Sequence, residues 1–343
     1  LFAIYIKTTF NLLKLVFYLS SQKKLFFMNG QNCENIIKPL LLDSFSGFIQ
    51  DSLINAQGIS NILKKNKSLK NFITYGEFTP GYRPVYFFVK KNNLKIKITS
   101  IQHGNFNENI LYCLNHKIEF SKDYRKQGKL YTPMPDQMFL KGIQAKNILK
   151  KYYTGKIKII GSISDKDIYI NKRYKKNIFS RKKNILVCPS IGDHMLIERF
   201  FLNSDNCKNL NNTYVISPHP MYKKKVLDSF KKKFKDKLDI QVKEKFSSLE
   251  LVKRSDLVIC SFSSVAFKAK LLGKKSIRLV DKNLPILHSS KDKVLQIKDI
   301  KSFDNALNFK FLNNDDMKNI NSLYKFFYYK NDKKAYIRFW KNL

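Results

Sequence analysis

The stretch that decides the fold is SDLVICSFSSVAFKAKLLGKK, residues 255–275 of the chain. Its four apolar residues from Leu257 to Cys260 predict a buried strand, and a cluster of serines follows that strand directly. The spacing of the apolar residues then becomes helical and ends at Gly273, a residue type that commonly terminates helices. A strand that leads through a short polar loop into a helix is typical of α/β folds with parallel sheets.

The same strand–loop–helix order recurs on both sides of a highly charged segment. Apolar runs near residues 71–78, 96–103, 136–142 and 156–164 precede that segment, and further runs follow it. A chain of 343 residues is too long for one ordinary core, so we predict two domains with one parallel sheet each. The predicted boundaries are an N-terminal domain at 1–168, a linker at 169–183, a second domain at 184–310 and C-terminal closing helices at 311–343.

The first 20 residues, LFAIYIKTTFNLLKLVFYLS, are mostly apolar but contain Lys7 and Lys14. Two lysines interrupt this run too strongly for a transmembrane helix. The segment lacks a basic leading region and a small-residue cleavage site, so no signal peptide is predicted. We expect residues 1–30 to contain a helix that either packs against the protein or lies on a membrane surface.

The chain is strongly basic, with 65 Lys and Arg against 26 Asp and Glu and a formal net charge of +39. Nearly all of the basic residues are lysines, and they are spread along the whole chain. Proteins that recognise nucleic acids favour arginine, because its guanidinium group makes bidentate contacts with bases and phosphates. The composition therefore indicates codon bias and a generally cationic surface, and we predict no specific nucleic-acid partner.

The five cysteines are scattered and form no CxxC pair. This pattern predicts neither a disulfide framework nor a zinc site and indicates a reducing cytoplasm. The sequence also lacks HExxH, GxxxxGK[ST] and GxSxG, which argues against metalloproteases, P-loop NTPases and α/β-hydrolases. The predicted strand ends carry few acidic residues, so we expect no metal ion in the site.

Polar residues collect where the predicted strands end, which is where parallel sheets bind ligands. His219 is fixed between Pro218 and Pro220, so its imidazole can meet a phosphate or ribose oxygen with little loss of entropy; it can equally be an ordinary loop histidine. Hydroxyls and helix-start amides near 261–264 can bind an anion, although one serine can simply cap the helix. These predicted phosphate-binding serines are Ser261, Ser263 and Ser264.

Further candidates lie at other strand ends. Ser190 and Gly192 form a turn whose backbone a phosphate or sugar can approach. Glu77 is a candidate general base, or it pairs with Arg83. His103 is a candidate base, or it holds an acceptor hydroxyl. The residues expected to contact the acceptor or the donor sugar are Gln102, Gly104, Arg83 and Ser162.

The order of these motifs over roughly residues 70–285 resembles bacterial surface-carbohydrate glycosyltransferases of the GT-B type, which have two Rossmann-like domains facing a central cleft. The motifs are GEF, IQHG, PDQMFLKG, IIGSIS, VISPHP and the serine stretch quoted above. The His-Pro and paired-serine motifs resemble the CMP-binding pair of sialyltransferases, polysialyltransferases and Kdo transferases. The resemblance implies that His219 and Pro220 meet the cytidine-phosphate region and that Ser263 and Ser264 meet the phosphate, in a nucleotide-sugar-binding second domain.

CDP-glycerol glycerophosphotransferases share a similar motif pair and a His-Gly whose histidine acts as base, which His103 and Gly104 resemble. The acidic motif of sialyltransferases ends in Gly after two acidic residues, whereas this chain has Gly76-Glu77-Phe78. Either Glu77 or His103 is therefore the expected base.

The resemblance implies a metal-independent, inverting glycosyltransferase of capsule, lipopolysaccharide or O-antigen synthesis that needs no cofactor besides its donor. The implied partners are a CMP-activated acidic sugar, a glycan or glycolipid acceptor, and the anionic cytoplasmic face of the membrane. The alternatives are a CDP-glycerol-type polyol-phosphate transferase, a UDP-sugar 2-epimerase and a non-catalytic capsule assembly or export protein.

Overall fold

The structure is a computed structural model. It describes residues 2–21, 27–28, 31–32, 48–76, 81–92, 94–106, 133–151, 153–163, 182–190, 192–208, 211–219, 228, 232–234, 238–242, 247–281, 289–309, 317–330 and 334–343. Most of the predicted linker at 169–183 lies outside these residues. No helix within the described ranges is long and apolar enough to cross a membrane.

The first half of the chain forms a four-stranded parallel sheet in the order β3-β4-β5-β6. A separate antiparallel pair, β1 with β2, precedes it. The elements of this half are α1 (Phe2–Ser21), β1 (Phe27–Met28), β2 (Gln31–Asn32), α2 (Phe48–Lys65), β3 (Asn71–Tyr75), α3 (Arg83–Lys91), β4 (Lys97–Ile101), β5 (Gln137–Leu140), α4 (Ile143–Leu149) and β6 (Lys156–Ile159).

The second half forms a six-stranded parallel sheet in the order β12-β11-β10-β7-β8-β9. Its elements are β7 (Lys183–Cys188), α5 (His194–Asn203), β8 (Asn212–Ile216), β9 (Asp239–Val242), α6 (Ser248–Arg254), β10 (Leu257–Cys260), α7 (Val265–Leu271), β11 (Lys275–Leu279), β12 (Leu295–Ile297) and α8 (Ile300–Leu307). The predicted α/β class, with a parallel sheet in each half, is confirmed. The strand order reverses between β7 and β10, which is the topological switch point at which Rossmann-type sheets bind ligands.

Local sequence explains several of these boundaries. Ser247 and Glu250 form a reciprocal capping box at the start of α6, in which the Ser247 hydroxyl accepts from the Glu250 amide at 3.2 Å. Such a cap stabilises the helix by about 1 kcal/mol. After α7 the chain turns at Gly273 with φ +70°, a left-handed conformation that glycine adopts without strain. The predicted strand, serine loop, helix and terminating glycine are therefore all present.

Strand β10 is buried along its whole length and separates two apolar layers. Leu257 and Ile259 pack into the layer that contains α5 and α8, while Val258 and Cys260 pack into the layer over α6 and α7. Burying one such side chain fully stabilises the fold by about 1.5–3 kcal/mol. A strand that is buried on both faces has a continuous run of apolar residues, and Leu257 to Cys260 form such a run.

Two C-terminal helices, α9 (Met317–Tyr328) and α10 (Ala335–Asn342), connect the halves. Phe327 of α9 packs on Phe267 of α7 with ring centroids 4.5 Å apart. From α10, Phe339 packs on Phe139 of the smaller sheet, and Arg338 Nε donates to the Ile160 carbonyl at 2.7 Å. The C-terminal segment thus contacts both sheets.

At Gly142, the N-cap residue of α4, the backbone of α9 comes very close to the smaller half. A Cβ atom at this position would overlap the backbone carbonyl group of Phe327. Gly58, inside α2, has open space where its Cβ would be.

We therefore expect Gly142→Ala to lower the free energy of unfolding by about 1–3 kcal/mol, because backbone atoms must move apart. Gly58→Ala should leave it unchanged or raise it by up to about 1 kcal/mol, because alanine favours helix. Denaturant unfolding of both variants checks this. Equal stability of Gly142→Ala and the wild type would contradict the close packing of α9.

Candidate functional site

The candidate site lies at the switch point, where the loops after β7 and β10 are neighbours. The two strands are paired in register up to Cys188 and Cys260, so the residues that follow begin at the same edge. Ser190 and Gly192 follow β7, and the serine loop follows β10. Gly192 has φ +90° and open space around it, so the turn can be approached from outside.

Asp193 joins these two loops and was not identified from the sequence. Its carboxylate accepts the Ser190 amide at 2.8 Å and the Phe262 amide at 3.1 Å, and its side chain is fully buried. Burial raises the pKa of this carboxyl group, while the Phe262 and Ser190 amides oppose that shift. An aspartate just before a helix is a familiar N-cap signal, but the contact with Phe262 spans 69 residues and has no local signature.

The serines of the loop after β10 have different roles. Ser263 accepts the Val265 amide at 3.3 Å, so its hydroxyl supports the start of α7. Ser264 occupies the N-cap position without a capping bond from its side chain. Ser261 is 1% exposed, and its hydroxyl has no hydrogen-bond partner among the residues that the structure describes. A buried, unpaired hydroxyl is unfavourable, and a ligand oxygen would satisfy it if the loop shifts enough to expose the Ser261 Oγ atom, which is closed to solvent in this structure.

His219 lies on the other side of β7, after β8. Its amide donates to the Pro189 carbonyl at 3.3 Å, and the Ser217 amide donates to the Val187 carbonyl at 2.9 Å. These bonds continue the pairing of β7 with β8 into the loop and leave the His219 side chain exposed. The residues expected to bind phosphate therefore follow three adjacent strands, except Pro220, which lies outside the described residues.

In the smaller sheet, Gln102 fixes the turn that carries His103. Its amide oxygen accepts the Lys141 amide at 2.8 Å, and its amide nitrogen donates to the Gly104 carbonyl at 2.6 Å. Gln102 is buried, so these atoms act within the protein. The predicted substrate contacts of Gln102 and Gly104 stay predictions.

His103 is exposed next to Tyr75, whose ring meets the imidazole edge-on at 5.0 Å between centroids. Its pKa is lowered from 6.5, first by partial burial and then by the charges of Lys141 and Lys268. The imidazole is consequently neutral at pH 7 and can accept a proton. Lys268 belongs to α7, so the strand end at His103 lies within electrostatic reach of the other half.

The remaining predicted residues are less informative. Ser162 is buried after β6 and follows Gly161, which has φ +91° and packs against Arg338. Arg83 begins α3 and is half-buried, while Glu77 lies outside the described residues. No three His, Cys, Asp or Glu side chains are grouped as a metal site within the described part of the chain.

Comparison with known proteins addresses the fold. No family model matches the chain, and no curated protein matches its sequence. A UDP-GlcNAc 2-epimerase from Methanocaldococcus jannaschii, in complex with UDP-GlcNAc and UDP, is similar with a TM-score of 0.53 and 17% identity over 86% of this chain and 81% of that one. The S. aureus MnaA–UDP structure is similar with a TM-score of 0.51 and 15% identity over 86% of this chain and 79% of that one.

At such identities the similarity is informative about architecture alone. Together with the two parallel sheets and the strand order, it shows that this chain has an α/β fold of the GT-B type.

The Asp193 contact can be tested by removing its charge. In Asp193→Asn one carboxylate oxygen becomes an NH₂ group, which cannot accept from a backbone amide. We expect a loss of about 1–3 kcal/mol in the free energy of unfolding. Asp205→Asn, on an exposed side chain paired with Lys208, should change it by less than about 0.5 kcal/mol. Urea unfolding measures both, and equal effects would refute the special position of Asp193.

The electrostatic environment of His103 gives a second test. Lys268→Ala removes a positive charge that disfavours the imidazolium ion, so the pKa of His103 should rise towards 6.5. Lys270→Ala, on the same helix, should leave this pKa unchanged. The His103 ring-proton resonance, assigned from the His103→Gln variant and followed by NMR against pH, reports the shift. If Lys268→Ala left the pKa of His103 unchanged, Lys268 would be too far from His103 to act on it, which would contradict the placement of α7 beside this histidine.

Proposed function

We propose that this chain is a metal-independent glycosyltransferase that uses a nucleotide-activated sugar. The observation that carries the proposal is the buried hydroxyl of Ser261 at the switch point, for which the described residues offer no hydrogen-bond partner. Ligands of parallel sheets bind at this position, and the loops with Ser190 and His219 lie on the adjoining strands. A nucleotide phosphate would supply an oxygen acceptor for this hydroxyl.

The donor would lie along the edge of the larger sheet. Its phosphate would accept from Ser261 and Ser264, and the His219 imidazole would donate to the phosphate or the ribose. Gly192 itself has no side chain to obstruct the nucleotide, and the space where its Cβ would be is open. Lys268, one turn into α7, would balance the charge that develops on the departing phosphate, in place of a metal ion.

The acceptor would approach from the smaller sheet. Its hydroxyl oxygen would attack the anomeric carbon while the bond from that carbon to the phosphate oxygen breaks, which inverts the configuration. His103 or Glu77 would take the hydroxyl proton. The lowered pKa of His103 favours this histidine, because a neutral imidazole is already present at pH 7.

We infer a cytidine nucleotide as the carrier because the motif order resembles that of CMP-sugar transferases. The transferred group would be an acidic sugar, and the acceptor a glycan or glycolipid of the bacterial surface, made at the cytoplasmic face of the membrane. The net charge of +39 suits an anionic donor, an anionic polymer and an anionic membrane. A CDP-glycerol-type transfer uses the same site with a polyol phosphate as the moving group.

A UDP-sugar 2-epimerase is the second candidate, since both structural neighbours are structures with UDP and one is named as that epimerase. Epimerisation needs several acidic groups in the cleft. Asp193, the buried acid at the switch point, already accepts two backbone amides. This use of its oxygens favours transfer over epimerisation. Detectable turnover of any nucleotide sugar would separate both candidates from a non-catalytic assembly or export protein.

Thermal unfolding in the presence of CMP, CDP, UDP and GDP tests the site and the carrier together. At about 100-fold above Kd, a nucleotide that binds only the folded state adds about 2.7 kcal/mol. We expect CMP or CDP to raise Tm and UDP and GDP to have little effect. Selective stabilisation by UDP would favour the epimerase, and no stabilisation by any of them would contradict a nucleotide site.

The matched variants are Ser261→Ala and Ser248→Ala, the latter at the start of α6. Removing an unpaired buried hydroxyl should not destabilise the unliganded protein, so Ser261→Ala should melt like the wild type and lose the nucleotide shift. Ser248→Ala should keep that shift.

A further inference from the structure

Helix α1 presents a row of large apolar side chains to solvent. Ile6, Phe10, Leu13 and Phe17 are separated by four, three and four positions, which puts them along one face of a helix. All four are exposed, and Phe10 and Phe17 are 56% and 74% accessible. A contiguous apolar row of this kind marks an interaction surface more often than scattered single residues do.

A neighbouring face of α1 holds the helix to the protein. Thr8, Thr9, Leu12 and Val16 are half-buried, and α1 contacts α2. The Gln50 amide of α2 donates to the Thr9 hydroxyl at 3.3 Å. Because its four side chains are exposed, the row from Ile6 to Phe17 lies at the protein surface, beside the face that contacts α2.

Both charged side chains of α1 are lysines. Lys7 and Lys14 lie one position beyond Ile6 and Leu13, and Lys14 Nζ is 4.7 Å from the centre of the Phe10 ring. The helix contains no acidic residue. Lysine stems lie along an apolar surface while their ammonium groups reach outward, so this face offers an apolar centre with a cationic border.

We propose that this face of α1 docks on a membrane surface that carries anionic lipid headgroups. The helix would lie in the plane of the interface, with the apolar row among the acyl-chain ends and the lysines at the lipid phosphates. A second copy of the chain fits this face poorly, because two chains that each have a formal net charge of +39 would repel each other. The proposal stands independently of the nucleotide site.

Flotation with lipid vesicles tests it. The wild type should float with vesicles of phosphatidylcholine and phosphatidylglycerol and much less with phosphatidylcholine alone. Phe10→Ser with Phe17→Ser should weaken binding to the mixed vesicles about tenfold or more, since two aromatic anchors are lost. The matched control is Ile62→Ser with Tyr336→Ser, which removes two exposed apolar side chains from other helices and should bind normally.

A second variant, Lys7→Gln with Lys14→Gln, keeps the apolar row and should reduce the preference for anionic vesicles. Circular dichroism checks that each variant is folded. The proposal would be overturned if the double Phe variant and the double Lys variant both bound the mixed vesicles as the wild type does. It would also be overturned if the wild type dimerises in light scattering and the double Phe variant is monomeric. An unchanged Tm shift with nucleotide in these variants keeps the result separate from the proposed function.

Discussion

The carboxylate of Asp193 holds together the two loops between which the strand order of the larger sheet reverses. Its oxygens accept amides from both loops, from Ser190 at 2.8 Å and from Phe262 at 3.1 Å. A carboxylate without these donors would be very costly to bury, and the amides would be left unpaired without it. The position of Ser261, next to Phe262, depends on this contact.

The second constraint is the close packing of the C-terminal helices against both sheets. Gly142 lets the backbone of α9 approach α4, and Phe327 fills the space above α7. Arg338 of α10 donates a hydrogen bond to the Ile160 carbonyl, just after β6. Because these contacts fix one half against the other, Lys268 of the larger half can influence the pKa of His103 in the smaller one. The proposed transfer would need this arrangement, since donor and acceptor would be held by different halves.

Local patterns in the sequence were sufficient to predict β10, the serine loop after it and the end of α7. The four apolar residues of β10, the serine loop and Gly273 each act through neighbours in the chain, so the pattern predicts them directly. Asp193 could not be found in this way, because its second partner is 69 residues distant. Lys268 likewise has the pattern of an ordinary helix lysine in the sequence. Only the structure shows that it is near enough to lower the pKa of His103.

Hydrogen–deuterium exchange with and without CMP tests the central claim, that a nucleotide binds at the switch point. The account predicts slower exchange of the amides at 190–193 and 261–265, after β7 and β10, with unchanged exchange in α1. Protection confined to other parts of the chain, or no protection in either loop at a CMP concentration that saturates binding, would contradict it.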